Sequence, residues 1–286
     1  MVIAIGLVIC IAGTLTGFSL AHGDPKELWV FPEYVTIFSL AIGSLVIMAP
    51  LTVLKEIGKK SIAVFKGAPF KKADFLDLLR VMYELFALGR RNGMIALEEH
   101  VMNPTGSSLF KKYDSFYKNK EAVEFFCDGL RPIVDGRIKP DQLGPLMDKS
   151  LATWTHERHN APLVLSKTSD ALPGFGIVAA VLGIIVTMGS LGGDVSQVGT
   201  HVAHALTGTF LGIFLCYGIV GPINTNIEFY NAGQLTYLNC IKSAVVSFAN
   251  GLPPLVAAEV GRRVLTEEMR PSAMDLESEL KTMGSK

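Results

Sequence analysis

The sequence predicts an all-α integral membrane protein with four transmembrane helices, a large helical cytoplasmic loop and a helical C-terminal tail. Four apolar stretches, at 2–21, 34–54, 171–190 and 201–222, stand apart from a polar remainder, and mean hydropathy over the 286 residues is +0.38. Each approaches the roughly 20 apolar residues that carry a helix across a bilayer. The basic residues are segregated although the formal net charge is zero. Lys26 is the only Lys or Arg in the loops joining spans one to two and three to four; all others fall in 55–170 or after 223. Positive residues stay cytoplasmic, so both termini and the large middle segment are expected in the cytosol. Between the spans, apolar residues recur at helical spacing and no strand-rich run intervenes. The expected division is 1–54 for the first two spans and a short periplasmic loop, 55–170 for a cytoplasmic helical domain, 171–222 for spans three and four, and 223–286 for cytoplasmic C-terminal helices.

The first span lacks the basic n-region and small-residue cleavage site of a signal peptide, so an uncleaved helix is expected. Gly6, Cys10, Gly13 and Gly17 give it one small face, read as a helix-packing seam. The outer loop 22–33 is short and acidic, and Trp29, Phe31 and Tyr34 lie where an aromatic belt marks the membrane–water boundary. Span two ends near Pro50, and Lys55, Lys59 and Lys60 follow as an anchor for anionic lipid headgroups and for topology.

In the cytosolic segment, Phe75, Leu78, Leu79, Met82, Leu85 and Phe86 trace one buried helix face, with Asp74 as its N-cap. Gly89-Arg-Arg-Asn-Gly93 interrupts it, and a shorter helix carries Leu97-Glu-Glu-His100. Val123, Phe125, Phe126, Leu130 and Ile133 mark another amphipathic stretch, and 141–168 reads as a long helix feeding span three. After Pro222 the tail offers a helix over 226–249, a break at Gly251-Leu-Pro-Pro254, a helix through Leu265, and a capping box at Ser272-Ala-Met-Asp275.

Spans three and four organise the chain. Residues 171–222 carry no charge except Asp194 in the linking loop, and they are rich in Gly, Ala and Thr, which lets membrane helices approach closely. Enzyme signals are absent: Gly174-Phe-Gly176 follows no strand, and His156, Glu157 and His159 lack the spacing of a zinc protease and read as a solvated face. Cys10, Cys127, Cys216 and Cys240 have no metal-ligand or CxxC spacing. No catalytic residue, cofactor, metal or nucleic-acid partner is expected. His201 and His204 share a face at the outer end of span four, suited to proton relay or to interfacial hydrogen bonding. Thr187, Thr207 and Thr209 line a path or satisfy backbone carbonyls, the second reading being preferred. None of the four spans, so bounded, contains Asp, Glu, Lys or Arg. Ion-coupled membrane machines place a titratable residue within the bilayer, so a proton path here needs a carboxylate from a partner. In the cytosol, Arg90, Arg91, Glu98 and Glu99 flank the glycine break and form a charged corner suited to a partner of complementary charge.

Gly93-Met94 with Leu97-Glu98, Leu172-Pro-Gly-Phe-Gly-Ile-Val-Ala-Ala180, Gly208-Thr-Phe-Leu-Gly212 with Pro222, and Arg270-Pro-Ser272 together resemble the flagellar motor stator A subunit, the MotA/PomA family. The resemblance covers nearly the whole chain. Met269 stands where that pattern has an acidic residue, with Glu268 beside it. The resemblance implies an inner-membrane homo-pentamer around a dimeric MotB-type B subunit, which supplies the membrane aspartate and is held to peptidoglycan. It implies that Arg90 and Glu98, with Arg91 and Glu99 beside them, face the rotor protein FliG, and that Pro173 and Pro222 couple ion flow to movement. A proline removes an N–H and interrupts the helix ladder, which suits a hinge or fixed bend. In sodium-driven relatives a threonine on span three joins one on span four; Thr209 matches the second, but the first falls at Ala180, so the resemblance implies a proton-driven stator. The alternatives are an ExbB/TolQ-type energiser, which shares spans three and four, and a membrane scaffold without ion flux.

Overall fold

The computed structural model describes residues 2–189 and 195–284, in which every regular element is helical and no strand occurs, with two compact units. One comprises Met1–Gly67 and Arg158–Tyr230, the other Ala68–Glu157 and Asn231–Lys286. Four helices are long and apolar enough to cross a membrane.

In the first unit, α1 (Val2–Leu20) leads through a 3₁₀ turn (Pro25–Leu28) to α2 (Phe31–Met48). Proline at α2's start costs nothing, because that N–H has no intrahelical partner. Ala49 and Pro50 break the helix, and α3 (Leu51–Phe65) follows. The segment 158–189 belongs to α9 (Pro140–Gly189), and α10 (Val195–Phe214) supplies the fourth span. Asp194 and the side chain of His201 lie outside the described residues. α1 buries no residue, and nothing within 4 Å would meet a methyl at Gly6, Gly13 or Gly17. The small face is therefore not a packing seam within this chain. Trp29 and Phe31 are exposed, and the Trp29 ring lies 4.9 Å from that of Tyr34, an aromatic group at the N-terminal end of α2.

Lys55 and Lys59 are exposed, but Lys60 is not available to headgroups. It is buried, with its ammonium 4.8 Å from the Tyr230 ring centre. Glu56 accepts from Arg158 Nη1 at 2.8 Å. Ile57 and Val64 of α3 pack with Ala161, Leu165 and Ile227, at helical spacing along α3's inner face.

The second unit is built on α4 (Lys72–Asn92). Phe75, Leu78, Leu79, Met82, Leu85 and Phe86 are all buried, as their spacing predicts. Asp74 is not the N-cap: Lys71 occupies that position, and Asp74, three residues on, accepts Lys71's backbone N–H at 2.7 Å. A carboxylate in the first turn also meets the positive end of the helix dipole. A second 3₁₀ turn (Met94–Leu97), α5 (Glu98–Met102), α6 (Ser108–Lys111), α7 (Asp114–Lys118) and α8 (Lys120–Val134) wrap the core. Phe86 stacks on Phe248 with ring centres 4.4 Å apart, and Phe110, Phe116 and Phe126 meet edge to face. Each such ring contributes roughly 1.5–3 kcal/mol by leaving water.

The tail departs from expectation at Pro222. No new helix begins after it. A π-helical segment (Leu215–Val220) joins α10 to α11 (Gly221–Ala249) without interruption. A π turn widens the ladder by one residue, and such turns are among the recognised ways a helix absorbs a local defect. α12 (Pro254–Arg263) and α13 (Ala273–Gly284) follow. Ser272 Oγ accepts from Asp275 N at 3.1 Å, one half of the capping box. The Arg270 guanidinium donates to the Leu265 carbonyl at 2.8 and 3.0 Å, closing α12's C-terminal end, while Met269 packs on the core in place of an acidic residue.

Candidate functional site

Spans three and four meet backbone to backbone. A methyl at Gly176 would lie 2.7 Å from the Gly208 carbonyl oxygen, and one at Gly212 would lie 2.5 Å from that of Leu172. Only glycine permits this approach. It sets Thr209, half-buried, beside Gly176, whose notional methyl would be 3.2 Å from Thr209 Cα. Ala180, one helical turn further along α9, is 9% exposed. Pro173 stands within α9 next to Leu172, and the helix runs through it unbroken. Thr187 and Thr207 donate to the carbonyls of Gly183 and Ala203 at 2.9 and 3.1 Å, so they satisfy backbone. Thr209 has no such bond among the described contacts. His204 is half-buried.

A titratable group absent from the sequence reading joins this hairpin. Because α2 begins at Phe31, Glu33 lies within its first turn and is 5% exposed. Its carboxylate points between α9 and α10. Notional methyls at Gly183 and Gly208 would come within 3.2 Å of Oε1 and 2.5 Å of Oε2. Oε2 is buried and has no hydrogen-bond partner among the described residues. The expectation that the spans hold no acidic residue is therefore corrected. The available signal was Pro32, which marks a helix start and so places Glu33 inside the helix rather than in the loop.

The end of the hairpin away from the α9–α10 connection is polar as well. Thr168, Ser169 and Asn224 are buried, and Ser169 Oγ donates to the Cys216 carbonyl within the π segment at 3.3 Å. Pro222 itself is exposed.

In the second unit, Arg90 and Arg91 end α4, and Glu98 and Glu99 begin α5; all four are exposed. Gly93, at φ +84°, turns the chain where a side chain would be strained. Leu97 is fully buried against Gly89, whose notional methyl would lie 3.0 Å from a Leu97 methyl, and this contact seats the turn. Ile95 projects at the tip, 79% exposed. The corner is thus a fixed, charged projection with one apolar side chain. The remaining candidates, His156, Glu157 and His159, are exposed on α9, as a solvated face requires.

Residues 4–93 match the family model described as motility protein A N-terminal, and 118–228 match that of the MotA/TolQ/ExbB proton channel family. Motility protein A of Escherichia coli (strain K12) is 32% identical over 283 residues, covering 99% of this chain and 96% of that protein. Chemotaxis protein LafT of Vibrio parahaemolyticus is 31% identical over 271 residues, with 95% and 94% covered. Among solved structures, one described as C. jejuni MotAB superposes with a TM-score of 0.77 at 19% identity, covering 94% of this chain and 98% of that one. The four spans, the glycine-packed hairpin and a likeness that runs from end to end agree: this chain belongs to the motility protein A family.

Proposed function

We propose that this chain is the A subunit of a flagellar motor stator, which forms a proton channel with a MotB-type partner and converts ion flow into torque on the rotor. The observation that carries the reading is the hairpin of α9 and α10, held together at Gly176, Gly208 and Gly212 within a full-length family match. It presents Pro173, Ala180 and Thr209 on one packed pair of spans and leads through a π turn to Pro222. The ExbB/TolQ-type alternative shares only the region 118–228, whereas the match over 4–93 is to motility protein A.

Five copies of the chain surround the partner's spans, with both termini and 55–170 in the cytosol of a bacterial inner-membrane complex. The partner brings the membrane aspartate, and Glu33 adds a buried carboxylate at the outer end of the hairpin. Arg90, Arg91, Glu98 and Glu99 face FliG. The coupling ion is the proton, because a sodium ion in a membrane needs oxygen ligands to replace its hydration and the Ala180 methyl offers none. Co-purification of the chain with a single-span, aspartate-bearing partner, followed by flux measurement in vesicles, tests this. Proton uptake that persists without sodium and requires the partner's aspartate is the expected result. Flux that tracks sodium at a fixed proton gradient overturns the ion assignment, and absence of any flux favours the scaffold reading.

A further inference from the structure

The fourth span's π segment is held by two donors that converge on one carbonyl. Gly221 N–H donates to the Cys216 carbonyl, five residues back, which closes the wide turn. Ser169, 47 positions away on α9, donates its hydroxyl to the same oxygen at 3.3 Å, and its Oγ lies 3.6 Å from Cys216 Sγ. Ser169 is 2% exposed and Cys216 3%. A methyl on Gly221 would stand 2.8 Å from the Cys216 oxygen and 3.6 Å from Ser169 Oγ, so the turn is closed tightly around this contact. Pro222 follows directly and has no N–H to give to the helix ladder. Ser169 stands one helical turn before Pro173 on α9. A single hydroxyl therefore joins the helix that bears one proline to the wide turn that precedes the other.

We propose that Ser169 is a positioning residue for coupling: it fixes the register of the π turn against the third span, so that the segments bearing Pro173 and Pro222 move together when the channel turns over. This rests on the stator reading above. A wide turn is an uncommon departure from the α ladder that occurs mostly as a single turn and often at functional sites. The Ser169 contact ties this one to the third span. Without it, Cys216 still receives Gly221 N–H, so the helix persists but the turn is no longer tied to its neighbour. The hydroxyl touches no ion or partner in this role; it acts through Cys216.

The experiment uses the full chain assembled with its aspartate-bearing partner, as wild type, Ser169→Ala and Ser169→Thr, with an isotope-labelled Cys216 carbonyl. The expected result is that Ser169→Ala shifts the labelled carbonyl stretch to higher frequency. It leaves co-purification and proton flux within about twofold, and lowers torque at high load by about three- to tenfold, the range of one interhelical hydrogen bond in a membrane. Ser169→Thr, which keeps the hydroxyl, restores both the frequency and the torque. An unchanged carbonyl frequency in Ser169→Ala overturns the contact. A shifted frequency with unchanged torque overturns the positioning role, and torque lost only in parallel with co-purification reduces Ser169 to a fold determinant. If the wild-type complex carries no proton flux, the stator reading fails first and the coupling role falls with it, whatever the variants do.

Discussion

The glycines of the membrane hairpin and the carboxylate beside them decide most at the scale of single residues. Gly212→Ala places a methyl 2.5 Å from the Leu172 carbonyl oxygen and 3.0 Å from Gly176 Cα, where only backbone movement makes room. Overpacking of this kind costs about 1–3 kcal/mol. Gly174→Ala, with nothing within 4 Å of the new methyl, is neutral or gains up to about 1 kcal/mol from helix propensity. Thermal unfolding in detergent separates the two, and equal midpoints would contradict the backbone-to-backbone packing. Glu33→Gln keeps shape while removing the titrating oxygen. Proton flux is expected to fall by about tenfold or more, short of the roughly 10²–10⁴ a positioned proton-transfer group supplies in catalysis, with assembly intact. Undiminished flux would mean that the buried carboxylate serves packing alone.

Helices were legible where one face repeats. The six apolar residues from Phe75 to Phe86 predict α4 because burial of a 3.6-residue stripe needs no knowledge of what covers it. The corner from Arg90 to Glu99 was legible in part: Gly93, which turns the chain, stands in the sequence, but Gly89, expected to interrupt the helix with it, lies inside α4. Glu33 and Ser169 were not legible as site residues. Each acquires its meaning from a helix far along the chain, α9 and α10 for the first and the π turn for the second. The boundary at Asp74 failed by one turn, because a carboxylate in the first turn and one at the cap bind the same row of free N–H groups. At the tail, Glu259 holds Arg262 at 2.6 and 2.8 Å and Arg263 at 3.0 Å, while Arg262 Nη1 donates to the Pro271 carbonyl at 2.9 Å and so ties α12 to the chain entering α13. Hydrogen bonds from Arg262 foremost, and from Arg263, hold the Glu259 carboxyl below its ordinary 4.5. A depressed folded-state value means that its stabilisation is complete above the ordinary carboxylate range and is lost as pH falls through the lowered value. The protection of backbone amides over 254–284, corrected for the intrinsic exchange rate at each pH, should therefore fall on acidification from about pH 6 to pH 3, and Glu259→Gln should remove that step. The substitution also leaves the buried Arg262 without its anion, at a cost of roughly 1–3 kcal/mol. An acid step that survives in Glu259→Gln would assign it to another group.

At the scale of the whole molecule, the zero net charge conceals a chain that spends its charges at particular places, and the corner of the second unit is the clearest case. Exposed ion pairs are individually worth about 1 kcal/mol or less, so neutralising Arg90, Arg91, Glu98 and Glu99 together is the decisive change. Torque is expected to fall by about tenfold with assembly intact, since four such contacts sum to a few kcal/mol at most. Unchanged torque would leave these side chains as solvated surface. Their placement has a second consequence, which follows from where α4 ends and α5 starts. Two arginines sit on the negative end of one helix and two glutamates on the positive end of the next, an arrangement worth about 0.3–1 kcal/mol per charge. On the proposed reading that this corner meets a rotor surface of opposite charge, exchanging the signs on both sides would restore that encounter but not the mismatched helix ends. Motility recovered in that way should fail at a lower temperature than the wild type.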